Sequence, residues 1–350
     1  MRVINLGNRE ITDNSLPYVI AEVGANHQGN VDKCKKLIDA AKESGVDAVK
    51  LQKRSNKTFF HASQFNQIYD NPNSFGKTYG LHREYLEFNK DEWEEVFEYA
   101  NKKDMTIFST AFDIESADFL EEIGNPIYKL PSGALKNIPL IEHIASFGKP
   151  IIISTGGGTI EDVDRVYETL SKYDIEHAIL QCTSGYPVEW DELNLNVINT
   201  YKERYKDIVI GLSSHDHGIA MALVAYILGA RIIEKHFTLN RALKGTDNAF
   251  SLEPQGMKKM IRDIQRASLA LGDGVKVRYE NEESPLVKQS AGLVSNKDFS
   301  KGEVIKEEDV LIQVPNKGLP PFYKDIIIGK KVSSNIKEGE YFTEENIDEI

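Results

Sequence analysis

Residues 229–239 read GARIIEKHFTL. Gly229 and Ala230 open the stretch, Ile232 and Ile233 begin a β-suited run, and Glu234, Lys235 and His236 follow before the chain turns apolar again. Such a run has the look of a buried parallel strand, which is normally near-continuous Val, Ile and Leu. Three ionisable groups at its carboxyl end need a reason.

Seven other short runs share the pattern: YVIAEVG (18–24), DAVKLQK (47–53), TIFSTAF (106–112), PIYKLPS (126–132), PIIISTG (150–156), HAILQCTS (177–184) and DIVIGLSSH (207–215). ARIIEKHF (230–237) is the eighth. Helical segments such as VDKCKKLIDAAKESG, DEWEEVFEYANKKD and TIEDVDRVYETLSKY separate them, several ending in the Gly expected of a left-handed C-cap. Eight βα units over about 250 residues predict a (β/α)8 TIM barrel, with a doubly wound open sheet as the competing arrangement. The strand ends favour the barrel. Each run is apolar in its first half and polar at its carboxyl end, where the active-site mouth of this fold lies.

Composition narrows the partners. The net charge of -12 argues against a nucleic-acid or acidic-membrane surface, which would need a basic face. The two cysteines, Cys34 and Cys182, show no CxxC spacing and suit a reducing compartment. The amino terminus lacks a signal-peptide pattern, and no stretch of about 18 apolar residues occurs. The expectation is a soluble, cytoplasmic protein.

Two further regions stand apart. Residues 54–90 form a long excursion after the second run, rich in Asn, Tyr and His, read as an ordered lid or substrate wall. Domain boundaries are placed at 1–278 for the barrel, 279–290 for a charged, Pro-containing linker and 291–350 for a small β-rich domain. In that last part KGEVIKEEDVL (301–311) returns as EGEYFTEENID (338–348), a repeat of 37 residues that suggests pseudo-twofold organisation.

The chemistry follows from alternation along the strands. Gly211, Ser213 and His215 share one face of the seventh strand, and Ile232, Glu234 and His236 one face of the eighth. A lone histidine would read as a hydrogen-bonded core residue. Two at matching depth on neighbouring strands point to a shared divalent cation with open positions for water or substrate. Without Cys or a third His nearby, Mn2+ or Mg2+ fits better than structural zinc. Lys50 and Lys129 also face inward, where an unpaired charge is costly. A Schiff base, an ion pair with a carboxylate such as Glu22, and an anion site are the options. The hydroxyls of Thr110, Ser132, Ser154, Ser184 and Ser213 favour a phosphate and a carboxylate. STGGGT (154–159) fits a phosphate-cradling turn and a simple tight βα turn equally well.

Taken in order, AEVGANHQG (21–29), VKLQK, STAFD, YKLPSG, STGG, QCTSGYP, GLSSHDHG, IEKHFTL and KGTDNAFSLEP (244–254) resemble the sialic acid synthases, the phosphoenolpyruvate-dependent nonulosonic acid synthases. Residues 69–88 look closest to the subgroup containing vertebrate-type N-acylneuraminate-9-phosphate synthases. The resemblance implies a TIM barrel with an antifreeze-like (SAF, β-clip) domain and a domain-swapped homodimer. It implies condensation of phosphoenolpyruvate with N-acetylmannosamine or its 6-phosphate, with legionaminic or pseudaminic acid synthesis, or a catalytically weak sugar-binding role, as alternatives. Carried over by motif, His215 and His236 would hold the cation and act in catalysis with Glu22. Lys50, Thr110, Lys129, Ser132, Ser154, Ser184 and Ser213 would hold phosphoenolpyruvate. Glu22, Gln52, Tyr186 and Asp247 would face the amino sugar. His82 and Arg83 in the long excursion are weighed as partners for a phosphate on that sugar, against a reading as solvated surface charges. Glu234 is expected beside the cation, and Lys235 outside, in a structural role. Two departures stand out: Ala134 where the family usually has an acidic residue, and Val314 where many bacterial members have an arginine.

Overall fold

The eight apolar runs become eight parallel strands that close on themselves, each paired with the next along the chain and the last with the first. In this computed structural model, which describes residues 1–350, they are β3 (Tyr18–Gly24), β4 (Ala48–Lys53), β5 (Thr106–Ala111), β6 (Tyr128–Leu130), β7 (Ile151–Ser154), β8 (His177–Gln181), β9 (Val209–Ser214) and β10 (Ile232–His236). The open-sheet alternative is excluded by the pairing of β10 with β3, where Ile232 lies opposite Tyr18 and His236 opposite Glu22. Helices alternate with the strands, from Val31–Ser44 after β3 to Pro254–Leu271 after β10.

Alternation sorts the side chains into two shells. Tyr18, Ile20, Ala48, Phe108, Ile152, Leu180, Val209 and Ile232 pack together in one buried cluster. Val19, Ala21, Val49, Ile107, Ile153, Ile179 and Ile233, their neighbours along the strands, pack with the helices in another. Each fully buried Ile, Leu or Phe contributes about 1.5–3 kcal/mol. Gly211 in β9 is needed for closure: a Cβ there would stand 2.5 Å from the Ile232 carbonyl oxygen and 2.4 Å from Leu180.

A hairpin absent from the sequence reading, β1 (Val3–Leu6) and β2 (Arg9–Thr12), precedes the barrel. Its Ile4, Leu6 and Ile11 are fully buried in the same cluster as Tyr18 and Phe108, and so close the amino-terminal end of the barrel. With that end sealed, only the carboxyl-terminal mouth is open to a ligand.

The chain divides into two compact units, Met1–Gly272 and Asp273–Ile350. That division falls six residues before the one read from the sequence, and the segment taken as a linker carries a short helix, Glu283–Gln289. The second unit holds the antiparallel pair β11 (Gly292–Ser295) and β12 (Val310–Gln313). Its internal repeat is visible in the core. Ile305 and Phe342 are both fully buried, as are Val310 and Ile347 nearly so, and Gly302 and Gly339 share the left-handed conformation at φ 85° and 84°. No helix in the chain is long and apolar enough to cross a membrane.

The loop after β3 carries a titratable core group. His27 is 3 % exposed, its ring stacked on Phe88 at 4.2 Å, and its Nδ1 accepts the Gly29 amide at 3.1 Å. Burial, reinforced by the Lys33 charge, pulls its pKa down to about 3. The folded state therefore binds fewer protons than the unfolded chain, and stability present above pH ~6.5 is lost as pH falls toward the folded value. The loss reaches about 1.4 kcal/mol per pH unit from this one group. In denaturant titrations the stability gap between wild type and His27→Gln should shrink at that rate between pH 6 and 5. A gap unchanged over that interval would contradict this account.

Candidate active site

A cavity of about 920 Å³ opens at the carboxyl-terminal mouth. Every residue assigned from the sequence lines it, together with Glu234. Their convergence follows from register. Glu22 lies opposite both His236 and Lys50, Gln52 opposite Thr110, and Thr110 opposite Lys129, so one polar layer circles the barrel above the apolar one.

The two lysines have different company. Lys50 Nζ lies 2.6 Å from Glu22 Oε2, donates to Thr110 Oγ1 at 2.7 Å, and stands 3.8 Å from Glu234 Oε1. Lys129 Nζ donates to Ser154 Oγ at 2.7 Å and to the Leu130 carbonyl at 2.8 Å, with no carboxylate in contact. Burial pulls the Lys129 ammonium down from its usual pKa. A buried cation balanced only by neutral acceptors is poised for an anion.

The carboxylates divide as well. Gln52 Nε2 donates to Glu22 Oε1 at 2.7 Å, and the Ser213 hydroxyl donates to Glu234 Oε1 at 3.1 Å. Burial raises the Glu22 pKa against the opposing pull of Lys50, with the Glu234 charge adding to the rise. Burial opposes the Glu234 charge too, yet Lys50 and Lys129 together hold that carboxyl below its usual range. Two carboxyls whose environments push them apart can hold a proton on one and a charge on the other.

The histidine rings stand 5.3 Å apart at 51°. His215 Nδ1 donates to the Thr183 carbonyl at 3.1 Å, which leaves Nε2 with a free lone pair. His236 is 7 % exposed, and burial keeps its ring neutral below the usual pKa. Its Nδ1 has no hydrogen-bond partner, nor has Glu234 Oε2 two residues away on the same face of β10. Asp247 Oδ2 is 3.8 Å from His236 Nδ1. No three His, Cys, Asp or Glu side chains form a ready metal cage. The Nε2 lone pair of His215, the unpartnered Nδ1 of His236 and the unpartnered Oε2 of Glu234 fit a divalent cation with open coordination positions.

The STGGGT turn brings hydroxyls together. The Gly156 amide donates to Ser132 Oγ at 2.9 Å, and a Cβ at Gly156 would fall 2.0 Å from Ser184 Oγ and 2.8 Å from Ser132 Oγ. Only glycine lets three donors from successive strand ends approach this closely. Tyr186 lies over His215 at 4.1 Å, and Phe250 packs against His236 at 5.0 Å.

Several assignments need adjusting. His82, weighed with Arg83 as a phosphate partner, is 1 % exposed between Tyr69 and Phe75, accepts the Phe75 amide at 3.1 Å, and does not reach the cavity. Ala134 is also buried away from it, in the turn that places Ser132. Lys235, set outside the barrel as expected, is 2 % exposed and donates to Asp216 Oδ1 at 2.7 Å and to the Asp216 carbonyl at 2.8 Å. The Ser214 hydroxyl also donates to Asp216, so the chain just after His215 is tied to β10. The excursion at 54–90 forms one wall of the cavity through Tyr69, Asn73, Tyr79 and Arg83, and Arg54 stands where it begins. Of these, the aromatic richness and Arg83 were noted in the sequence; Arg54 carried no signal that marked it from a surface charge.

The comparisons with known proteins agree with this geometry. The sequence model of the NeuB family matches residues 37–276, and that of the SAF domain residues 290–348. An N-acetylneuraminate-9-phosphate synthase of Homo sapiens is 34% identical over 95% of this chain and 92% of its own length. An N,N'-diacetyllegionaminic acid synthase of Campylobacter jejuni is also 34% identical, over 93% of this chain and 98% of its own. The crystal structure of an N-acetylneuraminic acid synthetase from Leptospira borgpetersenii, in complex with citrate, superimposes with a TM-score of 0.70 at 31% identity, covering 81% of this chain and 95% of that one.

Proposed function

The chain belongs to the NeuB family of phosphoenolpyruvate-dependent nonulosonic acid synthases, and on that premise we propose that it condenses phosphoenolpyruvate with the open-chain aldehyde of a 2-acetamido sugar, N-acetylmannosamine or its 6-phosphate, releasing inorganic phosphate. The observation that carries this reading is the pairing of two buried lysines, ringed by strand-end hydroxyls, with two histidines in the same cavity.

In this reading Lys129 and Lys50 neutralise the phosphate and carboxylate of phosphoenolpyruvate, with Ser132, Ser154, Ser184, Ser213 and Thr110 supplying hydrogen bonds. His215 and His236 would hold a divalent cation, Mn2+ or Mg2+, which when bound would supply Lewis-acid polarisation of an aldehyde oxygen. The methylene carbon of phosphoenolpyruvate forms the new C–C bond to the aldehyde carbon. A water oxygen bonds to the carbon bearing phosphate, and collapse of that tetrahedral centre breaks the C–O bond to phosphate and leaves a keto acid. Glu22, whose burial favours its protonated form, delivers a proton to the oxygen that was the aldehyde; Glu234, held ionised, accepts one from the attacking water. Gln52, Tyr186 and Asp247 orient the sugar. Family membership also supports a domain-swapped homodimer.

The test is phosphate release from phosphoenolpyruvate with Mn2+ or Mg2+ and a panel of acceptors: N-acetylmannosamine, its 6-phosphate, and the diacetamido sugars that lead to legionaminic and pseudaminic acids. Release with a 2-acetamido sugar is expected. Release only with unacetylated aldoses, or with none, would overturn the reading. Relatives with different products stand at the same 34% identity, so the acceptor has to be argued from the residues of the cavity wall.

A further inference from the structure

We propose that Arg54 and Arg83 form an anion subsite that takes a phosphate at the far end of the acceptor sugar, so that the substrate is a phosphorylated 2-acetamido sugar. This rests on the synthase reading above and narrows it.

Arg54 stands one residue past the end of β4, and alternation puts Lys50, Gln52 and Arg54 on one face, climbing toward the mouth at ~3.3 Å per residue. Lys50 belongs to the phosphoenolpyruvate anion site, Gln52 is bound to Glu22 on the sugar side, and Arg54 comes next outward. Arg83 approaches the same cavity from the helix Tyr79–Leu86, with its Nε donating to Tyr79 Oη at 3.2 Å.

Neither arginine has an ion-pair partner. The nearest candidates are committed: Glu87 lies 3.1 Å from Lys53 and accepts from Trp93 Nε1, and Asp247 faces His236. The Arg54 guanidinium lies over the Phe112 ring, 3.4 Å from its centroid, which covers one face and leaves its N–H edge to the cavity. Burial and the like charge of Arg83 both weaken the Arg54 cation, pulling its pKa to about 9. Two half-buried guanidiniums that repel each other are relieved by one dianion accepting from both. Phosphate matches the planar donor edge of arginine, whereas a neutral sugar hydroxyl would leave the repulsion standing. Phosphoenolpyruvate is also an anion, but its charges are already met by Lys50 and Lys129 deeper in the barrel.

The experiment compares N-acetylmannosamine 6-phosphate with N-acetylmannosamine at saturating phosphoenolpyruvate, in wild type and in Arg83→Gln. Arg54→Gln serves as a second variant, and because Arg54 packs on Phe112, Arg83→Gln carries the test alone if Arg54→Gln fails to fold. Wild type should prefer the phosphorylated sugar in kcat/KM, and the preference should fall roughly 100-fold in Arg83→Gln, as expected for a lost charge-assisted contact. Calorimetric binding of the sugar phosphate without phosphoenolpyruvate should weaken in parallel. Turnover that favours the unphosphorylated sugar, or a preference untouched by Arg83→Gln, overturns the subsite and leaves the synthase reading in place. A KM for phosphoenolpyruvate that rises as steeply as that for the sugar phosphate also overturns it. Absence of phosphate release from every acceptor overturns the synthase reading, while arginine-dependent binding of the sugar phosphate would still uphold the subsite.

Discussion

Replacing His236 by alanine should lower kcat/KM by at least about 10³-fold while leaving the fold intact, because the lost group supplies several kcal/mol of charge stabilisation in the transition state. The fold should survive for a specific reason. His236 Nδ1 has no hydrogen-bond partner in the folded chain, so its removal strands no donor or acceptor. What is lost structurally is packing against Phe250 and the edge of Tyr186. Mn2+ binding, followed by calorimetry or by the paramagnetic signal of free metal, should weaken in step with turnover. Wild-type rates in His236→Ala at ordinary Mn2+ concentrations would remove this histidine from the site.

Lys50→Met should cost both activity and stability, and the two losses have separable signatures. Its ammonium is the only cation in contact with Glu22 and the nearest to Glu234. Breaking a buried pair from one side typically costs about 3–5 kcal/mol, because a charge is left without its partner. The remaining carboxyl then avoids the charge by holding its proton. Glu22 is already raised above the usual range by burial, and without Lys50 it rises further. A raised folded-state pKa gives stability that is present below the unfolded value and lost as pH rises through the folded one. The stability deficit of Lys50→Met should therefore be larger at pH 8 than at pH 5, while kcat/KM falls at least about 10³-fold at both through loss of anion binding. Lys129→Met offers the contrast. Its ammonium contacts only Ser154 Oγ and the Leu130 carbonyl and breaks no ion pair when removed, so the loss should fall on phosphoenolpyruvate binding, with a stability deficit smaller and less dependent on pH than that of Lys50→Met. Equal stability profiles for the two variants would refute the assignment of Lys50 as the counter-ion of Glu22.

The mouth was readable because a barrel strand writes its two faces in alternation. Glu22, Lys50, Thr110, Lys129, Ser154 and Glu234 each occupy an inward position one step beyond the last apolar inward residue, and that is a local property of each run. GARIIEKHFTL is the clearest case. Ile232 ends the apolar layer, Glu234 and His236 enter the cavity, and Lys235 turns to the other face. Even there alternation gave direction without a partner. Lys235 holds Asp216, nineteen residues earlier in the chain, and a pattern of period two carries no record of that distance. His82 was misread for a related reason: neither a phosphate partner nor a surface charge, it is buried because Tyr69 and Phe75, earlier in the chain, pack against its ring.

By itself the sequence determined the number of barrel strands, their polar carboxyl ends, the histidines on two neighbouring strands, and the repeat that shapes the second unit. These depend on periodicity, which a chain must display locally if it is to bury one face of every strand. Tertiary structure alone decided that the hairpin β1–β2 seals the far end of the barrel and that Glu22 and Glu234 sit in opposing fields. It alone left Arg54 and Arg83 facing one cavity with no carboxylate paired to either. Each of these is a matter of distance between residues far apart in the chain, and Coulomb energies and desolvation are set by distance and burial, which no local pattern encodes.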